Sequence, residues 1–60
     1  MERTALERLV TVQQLAVYLA VPVSWVYGHT AARDIPTVRV GRYVRFRLSE
    51  VLDWLHRRGE

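Results

Sequence analysis

The chain has sixty residues, half of them hydrophobic, with nine arginines, six acids, no lysine, no cysteine and a net charge of +3. A domain this short buries only about 60% of its unfolded surface, which leaves no room for a deep catalytic cleft. Without cysteine there are no disulfides or thiolate metal sites, and the longest apolar run, Leu15 to Val23, contains Pro22 and is far short of a membrane span.

Residues 1–9 mix Ala5, Leu6 and Leu9 with charges, the pattern of a tail or a short frayed helix. One domain is expected to follow over residues 10–58. Thr11-Val12-Gln13-Gln14 has the capping-box spacing, a hydroxyl at the N-cap and a Gln at N3, and Val10 and Leu15 stand at the two positions of a hydrophobic staple. Val12, Leu15, Ala16 and Leu19 then share one face, which predicts a helix to about Ala20. Pro22 suits the first turn of a second helix, over residues 22–32. At 100° per residue Pro22, Val26 and His29 fall on one side of it, with Ser24, Tyr27, Gly28 and Ala31 on the other. Two short helices joined by so tight a turn form a helix-turn-helix, whose second helix presents its outer face to a DNA groove.

Arg33 to Pro36 reads as a loop. Beyond it, four of the nine arginines crowd into Arg39 to Arg47, alternating with apolar residues around Gly41. That is the pattern of a β-hairpin with one cationic and one apolar face. A three-residue loop, Gly41 to Tyr43, would pair Val40 with Val44, Val38 with Phe46 and Arg39 with Arg45, and it separates the faces cleanly. A two-residue turn would set Arg39 opposite Val44 and mix them, so the longer loop is expected. Ser49 then caps a last helix, with Val51, Leu52, Trp54 and Leu55 as its buried stripe and Gly59 as its stop. The fold class is α+β, mostly helical: two helices, a basic hairpin wing and a C-terminal helix.

A surface rich in guanidinium favours a polyanion, because arginine donates paired hydrogen bonds to phosphates and guanine edges. A genome rich in arginine codons explains the missing lysines but not the clustering. Ser24, Tyr27, Gly28 and His29 are the candidate DNA residues of the second helix, and Arg39, Arg42, Tyr43 and Arg45 those of the wing. The alternative for Tyr27 is a half-buried packing residue. Gly28 either lets a backbone approach the DNA or is simply tolerated at a cost of about 1 kcal/mol. Ser24, His29 and Asp34 are the residue types of nucleophilic catalysis, but no strained elbow or oxyanion arrangement accompanies them. His29 and His56 lack a metal-ligand spacing. No enzyme activity, metal, cofactor, small-molecule substrate or membrane partner is expected.

The runs Leu19-Ala20-Val21-Pro22-Val23-Ser24-Trp25-Val26-Tyr27, Ile35-Pro36, Val40-Gly41-Arg42-Tyr43-Val44-Arg45-Phe46 and Val51-Leu52-Asp53-Trp54-Leu55 resemble the excisionase-like, MerR-related winged helix-turn-helix domains, over about Leu9 to Arg58. The resemblance implies a phage or mobile-element excisionase, a non-enzymatic recombination directionality factor. Such a factor binds and bends double-stranded DNA and steers a tyrosine integrase toward excision. In the family the second helix enters the major groove and the wing the adjacent minor groove. Carried over by position, Ser24, Tyr27 and Gly28 face the major groove, and Arg39, Arg42 and Arg45 the minor. Gly28 stands where the family commonly has a longer polar residue, which shifts discrimination to its neighbours and to DNA shape.

The absence of a dimerisation helix or effector domain favours an excisionase over a metal-sensing regulator. A domain this small also implies cooperative self-association on DNA, in the cytoplasm of a bacterial host. A small mobile-element transcriptional regulator would use the same contacts. A protein-interaction module such as an antitoxin would instead need an exposed apolar patch, for which Val17, Tyr18 and the Leu6/Leu9 tail are the candidates. An RNA binder is disfavoured because the sequence offers no evident pair of exposed aromatics as a stacking platform.

Overall fold

A computed structural model describes residues 8–59. Strand β1 (Leu9–Val10) leads into helix α1 (Val12–Leu19), then α2 (Val23–Ala32), strands β2 (Val38–Val40) and β3 (Tyr43–Arg47), and helix α3 (Leu48–Arg58). The three strands form one antiparallel sheet in the order β1-β3-β2. Helix, turn, helix, hairpin and helix make a winged helix-turn-helix.

The capping box forms as its spacing predicts. The Thr11 hydroxyl accepts from the Gln14 N–H at 3.1 Å, and the Gln14 side chain accepts from the Thr11 N–H at 2.9 Å. Both ends of the helix-turn-helix then close without glycine. Ala20 is left-handed at φ 59, with Ala20 N–H bonded to Val17 O at 3.2 Å and Val21 N–H to Ala16 O at 3.0 Å. Arg33, at φ 62, ends α2 with the same pair of bonds, to Thr30 O and from Asp34 to His29 O. This paired closure satisfies the last helical carbonyls and reverses the chain within two residues.

The core takes one or a few side chains from nearly every element: Val12, Leu15 and Ala16 of α1, Val26 of α2, Ile35 of the loop, Phe46 of β3 and Val51 of α3. Phe46, Leu15, Val26 and Val51 are wholly enclosed. Val10, Leu19, Trp25, Leu48, Trp54 and Leu55 pack around them.

Four expectations need correction. Leu9 belongs to no tail or helix: it pairs with Arg47, and Val10 with Phe46, adding a third strand that ties the start of the domain to the wing. Residues 1–7 lie outside the described residues. Pro22 precedes α2 as its N-cap, in an extended conformation, rather than opening its first turn. Ser49 does not cap α3. The helix begins directly after β3 with Arg47 as its cap, because Leu48 must already turn inward against the core.

The hairpin register is also different. Val40 pairs with Tyr43, Arg39 with Val44 and Val38 with Arg45 across a two-residue turn. Gly41 is at φ 61 and Arg42 is not in the positive-φ region, the pattern of a type II′ turn, whose twist matches the flanking strands. Face segregation loses to the turn: with Gly41 at positive φ the two-residue turn closes the hairpin, and Arg39 falls on the core-facing side beside Val44, where the edge strand β2 leaves it exposed.

Candidate nucleic-acid interface

The outer face of α2 carries Ser24, Tyr27, Gly28 and Ala31, all exposed, while Val26 beneath them is buried. Tyr27 keeps 52% of its surface, so it does not serve mainly to pack the core. A Cβ added at Gly28 would meet nothing within 4 Å, so no contact inside the protein requires glycine there.

His29 departs from this group. It turns toward α3, its ring 4.3 Å from that of Trp25 and 5.5 Å from that of Trp54, and its Nδ1 lies 2.9 Å from Asp34 Oδ1. Asp34 Oδ2 in turn lies 3.5 Å from Arg58, whose guanidinium sits 4.7 Å over the Trp54 ring. The structure therefore assigns His29 to the α2–α3 packing rather than to the exposed face shared by Ser24 and Tyr27.

Side chains alternate across a strand, so the observed register divides the wing arginines. Arg45 shares the outer face with Val38, Val40 and Tyr43. It folds back on its own hairpin, donating to Val44 O at 2.8 Å with its guanidinium 5.2 Å over the Tyr43 ring. Arg39 lies on the opposite face, beside Val44. Arg42 projects from the turn. Arg47, at the foot of β3, reaches Glu50 at 3.6 Å. The outer face is thus mixed, not the nearly continuous guanidinium surface that the alternation suggests: Val40 and Tyr43 are exposed on it by 46% and 56%.

An open groove of about 300 Å³ joins the two elements, lined by Thr11, Val12 and Gln13 from the start of α1, Tyr27 from α2, and Arg42, Tyr43, Val44 and Arg45 from the wing. It brings together four of the expected residues: Tyr27, Arg42, Tyr43 and Arg45. It also makes Tyr27 and Tyr43 an exposed aromatic pair beside one groove, which the sequence conceals because sixteen positions separate them. Thr11 and Gln13 were not legible as part of this surface. Their place follows only from the capping box fixing the start of α1 beside the wing.

Charge is segregated accordingly. The described acids are Asp34, Glu50 and Asp53, in the loop before the wing and on α3. None lies on α1, α2, β2 or β3. Among the described residues no group of His, Asp and Glu could hold a metal ion, and no helix is long and apolar enough to cross a membrane.

A family model described as a helix-turn-helix domain matches residues 9–59. No curated protein and no solved structure matches the chain.

Proposed function

Because the chain belongs to the helix-turn-helix domain family, an architecture that lays its second helix in a major groove of duplex DNA, we propose that it acts as a DNA-binding and DNA-bending excisionase without catalytic activity of its own. Ser24 and Tyr27 offer hydroxyls to base edges and phosphates. Arg42 and Arg45, with Tyr43, enter the adjacent minor groove, and Arg39, on the opposite face of the hairpin, meets the phosphate backbone. The groove shared by Tyr27 and the wing carries this reading, since it places an uncharged recognition face next to cations with no acid between them. The excisionase role is supported by the residue pattern from Ile35 to Phe46, and it implies a tyrosine integrase as partner and several copies side by side on DNA.

One observation favours contact with protein as well. Val17 and Tyr18 remain 81% and 61% exposed on the outer side of α1. A neighbouring copy or an integrase would cover them; so would the target of an interaction module.

The test is to pass fragments of the source genome over the purified protein at moderate salt and sequence what is retained. Short direct repeats beside an integrase attachment site are the expected result, and bending of those fragments by the protein completes it. Retention of promoters alone points to a transcriptional regulator. No enrichment, at low salt as well, overturns DNA binding and leaves the interaction module.

A further inference from the structure

We infer that a second hollow, between the C-terminal end of α2 and the edge strand β2, is a phosphate site in which Arg33 and Arg39 hold one backbone phosphate of the bound duplex. The inference rests on the DNA-binding reading and deepens it, adding a contact on the side of α2 away from the wing tip.

Thr30, Arg33, Ile35, Thr37 and Arg39 line this hollow, whose volume is about 350 Å³. Ile35 is 5% exposed and forms an apolar floor. The Thr30 hydroxyl already donates to Val26 O at 2.8 Å, so Thr37 supplies the free hydroxyl donor. The one acid beside the hollow in sequence, Asp34, is turned away: one carboxylate oxygen meets His29 at 2.9 Å and the other meets Arg58 at 3.5 Å. Two guanidiniums therefore line one concavity, with no acidic partner for either among the described residues.

Arg33 also complements the negative end of the α2 dipole, which accounts for one cation at this place. It does not account for the second. Arg39 comes from a different element, and the hairpin register puts it on the face opposite Tyr43 and Arg45. Two like charges in one hollow repel at rest, and a phosphate relieves the repulsion by accepting from both forks. Thr30 lies one helical turn beyond Tyr27, and Arg39 directly across the ladder from Val44. The hollow thus neighbours the Tyr27 groove, farther along α2 and away from the wing tip. A duplex seated in that groove carries its backbone past both.

The intact chain is titrated with short labelled duplexes of unrelated sequence over a range of salt. The variants are Arg33→Asn, Arg33→Lys, Arg39→Ala, their combinations, and Arg57→Ala as a control, with thermal melts to verify folding. Asparagine tolerates the left-handed backbone at this position. Arg33→Asn and Arg39→Ala should each lower affinity several-fold on every duplex and flatten the plot of log affinity against log salt by about 0.9. Arg33→Lys should keep the slope. Losses at Arg33 and Arg39 should be coupled, whereas those at Arg39 and Arg42 should multiply independently.

Arg33→Asn binding like the unmodified protein overturns the site and leaves DNA binding standing. Arg57→Ala matching Arg33→Asn reduces the effect to net charge and also overturns it. An unmodified protein that binds no duplex at low salt overturns the DNA reading itself, and the site with it.

Discussion

Helix α3 and the wing are adjacent in the chain and both rich in arginine, yet they treat charge in opposite ways. On α3 and its surroundings the cations have partners: Arg57 with Asp53, Arg47 with Glu50, Arg58 with Asp34 and the Trp54 ring. Across β2, the turn and the end of α2, Arg39, Arg42 and Arg33 have no carboxylate within reach among the described residues. Paired surface charges add little to stability, usually under about 1 kcal/mol, but they cancel the local field. Unpaired ones add nothing to the fold and keep the field intact for a polyanion. What distinguishes a binding surface here is therefore the absence of acids rather than the number of arginines.

The comparison breaks most completely at the residue that holds the two regions together. Phe46 stands in the central strand, paired with Val10 on one side and continuous with α3 on the other. Phe46→Ala should cost about 3–5 kcal/mol, as much as a core of this size supplies in total. The expected result is a far-ultraviolet circular dichroism spectrum of an unfolded chain at 25 °C, and no DNA binding. Tyr43→Ala, three positions earlier on the exposed outer face, should leave stability within about 0.5 kcal/mol. A folded Phe46→Ala protein would mean that the wing and helices do not share one core.

Arg42→Ala and Arg57→Ala set the two charge regimes against each other directly, since each removes one exposed positive charge. Arg42→Ala should reduce affinity for all duplexes about tenfold, flatten the salt slope by about 0.9 and leave the melting temperature unchanged. Arg57→Ala should leave affinity and slope near those of the unmodified chain and cost up to about 0.5 kcal/mol of stability through the lost pair with Asp53. Equal effects on binding from the two would show that only net charge counts.

Most of the helices was legible in sequence, because their signals are local: the Thr11–Gln14 box, the 3.6-residue stripes of α1 and α3, and Gly59 as the last stop. The sheet was not. Leu9 and Val10 become a strand only because Phe46 and Arg47, far away in sequence, offer a free edge. The same pairing makes β3 central, and the two-residue turn at Gly41 sets the register that face segregation argued against. Of the site, Tyr27 and the turn arginine were visible as exposed polar residues on predicted faces. The helical projection sets His29 on the side of Val26, away from Ser24 and Tyr27, and there it packs; that Trp54 and Asp34 are its partners is not readable from α2 alone. Arg33 follows α2 as the loop reading expects, but its place beside Arg39 comes from another strand and leaves no local signal.

Ala20 and Arg33 share one backbone conformation, at φ 59 and φ 62, but only Arg33 lies in a charged hollow. Ala20→Gly should relieve the left-handed strain and raise stability by about 0.5–1 kcal/mol, a few degrees in melting temperature, with DNA affinity unchanged. A loss of affinity on that substitution would mean that the turn between α1 and α2 also touches the duplex.

Gly28 gives the finest test, because stability and binding should move in opposite directions there. A methyl group at this position meets nothing in the protein, so Gly28→Ala should stabilise α2 by up to about 1 kcal/mol, measured by thermal or urea unfolding. The chain forgoes that gain on the very face where Ser24 and Tyr27 stand. If α2 docks with its backbone close to the duplex, the added methyl group lowers affinity while the melting temperature rises, which is the outcome we expect. If both stability and affinity rise or affinity does not change, the close approach is at neither Gly28 nor the helical turn around it. Ser24 and Tyr27 would then reach the DNA from a helix held farther out, and more of the affinity would fall to the arginines of the wing.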